Sequence, residues 1–227
     1  FLNPIKSIMS EPFSLDPKTV FLLYFWANLF ICILIFSYSF SYATTENRKM
    51  LKKFGYGKLL LTIGWTLILL RGIISDIISI NIANTFIFIA CCYETLAMLA
   101  MLKSKTKRRY KLQIGITIVG ILVFNTLVLL GSTINTRILI ISLGVFAIYL
   151  PPTISYFIEK GNNFFRTFYV FCYAAFEVLI ITRMIYNYLN PQKDFFSYSV
   201  FDTLYSISLF LLTLIGTVGF LLLVKER

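Results

Sequence analysis

The chain has 227 residues, of which 58% are hydrophobic and 14% are charged. Because soluble domains carry about 25% charged residues, this composition excludes an ordinary soluble domain and indicates a membrane protein. The net charge is +11, and the chain contains no histidine. Histidine is the commonest metal ligand and general base, so its absence argues against metalloenzymes and histidine-dependent enzymes.

Seven apolar runs follow one another along the chain. Each is long enough to cross about 30 Å of hydrocarbon as a helix of about 20 residues. Between the second and third runs, only Ser75, Asp76 and Ser79 mark a break. One helix over both runs would be about 69 Å long, more than twice the bilayer, so we expect two spans joined by a tight hairpin. The predicted all-α bundle of seven transmembrane helices has spans at 19–43, 57–77, 79–102, 112–131, 135–158, 164–189 and 199–224.

Lysine and arginine gather on alternate connections between the runs. The connections after the first, third and fifth runs, together with the C-terminal end, hold 15 of these residues, and the opposite side holds 4. The positive-inside rule therefore predicts a cytoplasmic C-terminus and an N-terminus outside, with 1–18 as an extracytoplasmic segment. The basic residues of these connections therefore set the orientation of the protein and contact the lipid bilayer. This accounts for the net positive charge, and we expect no nucleic-acid partner.

Both ends of the sequence suggest a larger protein. The chain begins at Phe1 with no signal peptide, and the last run passes from Phe220 into Lys225 without a glycine or proline stop. We therefore expect an excised piece, in which residues 19–227 form the membrane domain and a cytoplasmic domain follows.

The sequence offers few groups for catalysis. The cysteines Cys32, Cys91, Cys92 and Cys172 fall inside spans, where packing as small apolar residues explains them. Lys58 is placed at a cytoplasmic end, so no lysine is expected at mid-membrane depth and a retinal Schiff base has no candidate. With no phosphate loop and no nucleophile elbow, we predict no catalytic residue, metal or cofactor.

A set of polar and charged residues falls within the predicted spans, where such residues are costly and are functional hypotheses by default. Glu177 is expected near the midplane and the others in the outer half, where together they could line one outward-facing cavity. The candidate residues are Arg71, Asp76, Asn81, Asn84, Asn125, Glu177, Arg183, Tyr186 and Asp202. The arginines favour an anionic or carbonyl-bearing small ligand. The structural alternative is that Arg183 pairs with Asp202, and Arg71 with Asp76, to hold helices together.

A pattern of residues covers the second and third runs. Trp65 leads into an Arg-Gly pair at 71–72, Asp76 follows at the turn, and Asn84 lies a few residues into the next run. This pattern resembles the second and third spans of the N-terminal seven-transmembrane sensor module of bacterial GGDEF diguanylate cyclases and of some sensor histidine kinases. Ser75 stands where that family tends to have proline.

The end of the chain adds to the resemblance. Residues Tyr169 to Arg183, and then Gly219 to Arg227, are similar to the helices by which those modules pass into their cytoplasmic signalling helix. The resemblance implies a sensor domain in the bacterial cytoplasmic (inner) membrane that is itself no enzyme. It also implies a homodimer with an output domain in cis.

Two other function classes stay open. A small transporter or channel subunit would use Arg71, Glu177 and Arg183 along a permeation path, although the polar residues thin out toward the cytoplasmic side. A lipid-modifying enzyme would need a nucleophile and a base together, and without histidine only Glu94, Glu177 or a cysteine could serve.

Overall fold

The computed structural model describes residues 17–41, 44–102, 107–159, 164–191 and 200–226. These residues form seven α-helices and contain no β-strand. A π-helical segment, Ile77–Ile82, leads directly into the third helix. The helices are α1 (Pro17–Ser41), α2 (Thr45–Leu69), α3 (Ala83–Met101), α4 (Lys107–Leu129), α5 (Ile134–Ile158), α6 (Phe164–Leu189) and α7 (Val200–Glu226). The predicted segment 1–18 lies almost wholly outside the described residues.

Six of the described helices are long and apolar enough to cross a membrane, namely α1, α3 with its π-helical segment, and α4 to α7. The prediction of an all-α, multi-pass membrane protein is therefore confirmed. The orientation inferred from the charges stays a prediction.

The predicted bounds of the second span were wrong. α2 begins twelve residues before the predicted start, where Thr44 caps it by accepting a hydrogen bond from the backbone N–H of Asn47 at 3.4 Å. The helix ends eight residues before the predicted end. Gly72 follows with a φ of +89°, a conformation that L side chains rarely adopt. Arg71 therefore lies in the turn 70–76 and not inside a helix, whereas Asp76, at the end of this turn, begins the helical segment that leads into α3.

Six of the described helices are arranged in a ring. Helices α1, α2 and α3 pack in sequence order, α3 packs against α5, and α5, α6 and α7 follow in order until α7 returns to α1. Helix α4 packs outside this ring, against α3 and α5. We call the end that carries the turns 70–76 and 130–133 the upper end, and the opposite end the lower end.

Glycines on α2 bring it close to α3. A Cβ at Gly57 would lie 2.8 Å from Glu94 Cγ and 3.0 Å from the Ala90 carbonyl oxygen. A Cβ at Gly64, two turns further on, would lie 3.0 Å from Ile87. Because any larger side chain would force the two helices apart, these glycines fix the position of the α3 side chains inside the ring.

Aromatic rings fill the lower part of the ring of helices. Phe54 of α2 stacks on Phe220 of α7 with ring centroids 4.0 Å apart. Tyr169 of α6 lies beside Phe220 with centroids 6.4 Å apart. All three side chains are completely buried, so they close the space between α2, α6 and α7.

Helix α5 runs without a break through Pro151 and Pro152. Pro152 has no N–H to offer the carbonyl oxygen of Ile148, four residues earlier. Gln113 of α4 is buried and donates its Nε2 to that oxygen at 2.8 Å. The side chain replaces the missing backbone donor, which explains why α5 continues.

Candidate functional site

A cavity of about 180 Å³ lies inside the ring and extends to the upper end. All six helices of the ring contribute to its wall, and α4 contributes Phe124. Four cationic side chains line it against two acidic ones, so its lining carries a net positive charge. These residues are Lys58, Arg71, Arg137, Arg183, Glu94 and Asp202.

Arg183 presents its guanidinium group at the upper part of the cavity. Its Cζ lies 4.8 Å from the centroid of the Tyr205 ring, a cation–π contact between α6 and α7. Its buried Nε has no hydrogen-bond partner among the described residues. The aromatic face therefore holds the guanidinium while leaving a donor available to an acceptor within the cavity.

Two further arginines line the upper part of the cavity from turns and helix ends. Arg71 lies in the turn 70–76. Partial burial lowers the pKa of its guanidinium group, and the charge of Asp76 offsets this only in part. Arg137, in the first turn of α5, donates its Nε to Ser132 Oγ at 3.4 Å. Arginines from three different elements thus converge on the upper part of one cavity.

Aromatic side chains form one wall of the cavity. Trp65 of α2 stacks against Phe21 at 5.2 Å and against Tyr24 at 5.0 Å between ring centroids. The Tyr24 hydroxyl donates to the Ser206 carbonyl oxygen at 2.7 Å and so ties α1 to α7. This wall is flat and apolar, and it suits an aromatic or aliphatic group beside the arginines.

An ion pair forms the floor of the cavity. Lys58 Nζ lies 2.8 Å from Glu94 Oε1, and both side chains are 3% exposed. Tyr149 of α5 donates its hydroxyl to Glu94 Oε2 at 2.7 Å. Three helices therefore meet at one buried polar cluster, in which the two formal charges cancel.

The structure contradicts the placement of Lys58 at the end of a span. That placement followed from the wrong start of the second span. Since α2 begins at Thr45, Lys58 lies near its middle. The sequence did contain a signal, because Thr44 followed by Glu46 is typical of a helix start.

The structure brings four of the nine candidate residues to the cavity: Arg71, Asn84, Arg183 and Asp202. The other five lie elsewhere. Asn81 donates to Asn125 Oδ1 at 2.9 Å, and Asn125 donates to Thr85 Oγ1 at 3.0 Å, so the two asparagines join the π-helical segment and α3 to α4. Sequence reasoning did not select several residues that line the cavity, including Asn28, Lys58, Glu94, Arg137 and Tyr149.

The remaining three candidates are separate from one another. Asp76 is exposed at the end of the turn 70–76, and Tyr186 stacks on Phe201 with ring centroids 3.9 Å apart. Glu177 is buried on α6, away from the cavity lining. These positions share no site.

Comparison with known proteins found no matching family model, no similar curated protein and no similar solved structure. Within the described part of the chain, no three His, Cys, Asp or Glu side chains are grouped to hold a metal ion. The chemistry of the site is therefore that of its arginines, its aromatic wall and its buried ion pair.

Proposed function

We propose that this chain is the membrane-embedded input domain of a bacterial signalling protein. It binds a small anionic ligand in the cavity and passes the binding event to a cytoplasmic output domain through α7. The observation that carries the proposal is the convergence of Arg71, Arg137 and Arg183 on one cavity of a membrane helix bundle. Arginine offers a planar set of donors that suits carboxylates and other oxyanions.

Helix α7 supplies the connection from ligand to output. Its upper part lines the cavity from Asp202 to Thr213, and its lower part packs on the aromatic rings around Phe220. Near its end, the Val224 carbonyl oxygen accepts a hydrogen bond from Asn47 Nδ2 at 3.1 Å. Because α7 is one helix of 27 residues, a shift at the cavity is carried along it to the lower end.

The proposed mechanism is a population shift between two packings of α7 in the bundle. The ligand must bind one packing more tightly than the other, and contacts to Arg183 and to α7 provide that difference. The resemblance of the sequence to sensor modules of diguanylate cyclases and histidine kinases supports this assignment. The same resemblance favours a homodimer in the cytoplasmic membrane, with the lower end facing the cytoplasm.

The alternative of a transporter or channel requires a path from one end of the bundle to the other. The buried rings of Phe54, Tyr169 and Phe220 lie between the cavity floor and the lower end. This packing favours a binding site that opens on one side. Flux of aromatic carboxylates into liposomes that contain the protein tests the alternative, and sensing predicts none above the lipid background.

Ligand binding can be measured with the tryptophan of the cavity wall. Trp65 lines the cavity, whereas Trp26 is exposed on α1, so Trp26→Phe leaves one fluorescent reporter at the site. In nanodiscs, biphenyl-4-carboxylate should change the Trp65 emission, and the neutral biphenyl-4-carboxamide should bind more weakly. Arg183→Leu should weaken carboxylate binding at least about tenfold, since a hydrogen bond to a charged group contributes about 1.5 to 3 kcal/mol.

Thr182→Ala is the matched control, because Thr182 is exposed on the same helix and does not line the cavity. Equal binding of the acid and the amide, or equal binding by the Arg183→Leu variant, would contradict the proposal. Transmission is measured separately, with spin labels at Phe164 and Lys225 on the exposed lower ends of α6 and α7. The acid should shift their separation by about 1 to 2 Å.

A further inference from the structure

Asn28 of α1 lines the cavity well below the arginines. Its side chain is 1% exposed, and its Nδ2 donates to the Tyr24 carbonyl oxygen at 2.8 Å. Because the Tyr24 carbonyl oxygen can only accept a hydrogen bond, the NH₂ group of the Asn28 amide must face it, and this fixes the orientation of the amide. The remaining oxygen, Oδ1, is buried without a hydrogen-bond partner among the described residues. Such an acceptor is costly unless a donor reaches it.

A second buried atom of the cavity wall shares this property. Ser142 of α5 is 4% exposed, and its Oγ has no hydrogen-bond partner within the described part of the chain. Ser142 lines the same cavity. Two unpartnered polar atoms on opposite helices of the cavity wall indicate that a polar group of the ligand reaches below the arginines.

The two polar levels of the cavity lie at different depths. Asn28 lies eleven residues from the upper end of α1, whereas Arg183 lies six residues from the upper end of α6. At 1.5 Å per residue, Asn28 is about 7 Å deeper in the bundle than Arg183. The cavity lining near these levels includes the apolar side chains of Leu61, Ile138 and Val145.

We infer that the ligand is an elongated monoanion with a hydrogen-bond donor, such as a hydroxyl group, at the end opposite its anionic group. The anionic group lies at Arg183, the flat body lies along Trp65, and the donor is accepted by Asn28 Oδ1. The Lys58–Glu94 pair, with Lys58 at the same depth as Asn28, is neutral in sum, so the far end of the ligand is neutral as well. This inference rests on the proposed function and adds the ligand class, a hydroxylated aryl carboxylate.

The experiment compares two rigid acids that differ in one group. Biphenyl-4-carboxylate and 4′-hydroxybiphenyl-4-carboxylate are titrated into the Trp26→Phe protein in nanodiscs, with Trp65 emission as the readout. The hydroxylated acid should bind about tenfold more tightly. In the Asn28→Leu variant, which keeps the branched shape of the side chain but removes the acceptor, this advantage should disappear, so that the two acids bind with equal affinity.

Asn187→Leu is the matched control. Asn187 is also 1% exposed and donates its Nδ2 to a carbonyl oxygen four residues earlier, but it does not line the cavity. Its removal should leave the advantage of the hydroxyl group intact. Loss of fold in either variant would remove the binding of both acids together and is excluded by the retained binding of the parent acid.

The outcomes separate the inference from the proposed function. If both acids bind equally, or if the advantage of the hydroxyl group survives in Asn28→Leu, the two-level ligand is refuted while anion binding stands. If neither acid binds, the anion-binding site itself is refuted, and the ligand class falls with it.

Discussion

Removal of one charge from the cavity floor will test how far the Lys58–Glu94 ion pair holds the bundle together. At the observed separation of 2.8 Å, and with both side chains 3% exposed, the pair is shielded from solvent. Two unit charges at that distance attract by about 6 kcal/mol at an effective dielectric constant of about 20. Desolvation of each ion offsets several kcal/mol of this attraction, so the net contribution of the pair is small.

The cost of breaking the pair is larger than its net contribution. Glu94→Gln keeps the shape of the side chain but leaves the Lys58 ammonium group buried without an opposite charge. We therefore expect a loss of about 3 to 5 kcal/mol. For a chain of this size, such a loss lowers the midpoint of thermal unfolding by about 6 to 20 °C. Lys58→Met should have a comparable effect, since it leaves the Glu94 carboxylate with Tyr149 as its remaining contact.

A double-mutant cycle measures the coupling. The combined Lys58→Met and Glu94→Gln variant removes both charges, so its destabilisation should be smaller than the sum of the two single effects by at least about 2 kcal/mol. Thermal unfolding of the detergent-purified variants provides the free energies. Lys53→Met is the control, because Lys53 is partly exposed on the same helix and should cost less than about 1 kcal/mol. Additive single effects, or effects no larger than the control, would refute the argument.

Four further substitutions test other parts of the structure. Gly57→Ala places a Cβ 2.8 Å from Glu94 Cγ and should destabilise the protein by about 1 to 3 kcal/mol. The Cβ of Gly115→Ala meets nothing within 4 Å, so this substitution should stabilise the protein by about 0.5 to 1 kcal/mol. Thermal unfolding compares the two glycine variants. A change of stability in the same direction for both would contradict the role of close helix approach. Asn125→Leu removes the hydrogen bonds that join α4 to the π-helical segment and to α3, and it should cost about 0.6 to 1.7 kcal/mol in thermal unfolding, while the tryptophan titration with biphenyl-4-carboxylate stays unchanged. Phe220→Leu should keep carboxylate binding but reduce the ligand-dependent distance change at the lower end of α7; an undiminished distance change would show that the stacked rings play no part in transmission.

Only some of the cavity residues could be predicted from the sequence. The reason is that a sequence does not show in which direction a side chain points. Polar residues inside apolar runs are visible in a sequence, so Arg71 and Arg183 could be selected. The direction in which a side chain points depends on which helix packs against its own. Asn125 and Glu177 face neighbours outside the cavity, whereas Asn28 faces into it.

The sequence by itself determined that this is a multi-pass helical membrane protein. An apolar run of membrane-spanning length must satisfy its backbone polar groups internally, and a helix does so without reference to any other part of the chain. The predicted bounds of the spans other than the second therefore agree with the helices to within five residues. Arg71 lies next to the turn at Gly72, and it could be placed near one end of the bundle because the break between the second and third runs is visible in the sequence.

Only the tertiary structure decided that Lys58, Glu94 and Tyr149 form one cluster and that the ring of six helices leaves α4 outside. These residues lie on three helices and are far apart in sequence, with Tyr149 55 residues from Glu94. Their meeting depends on the close approach of α2 and α3 at Gly57, a contact between two elements that no single run of residues encodes. Hydrophobic length is a local property of the chain, whereas the partner of a buried charge is set by packing between helices.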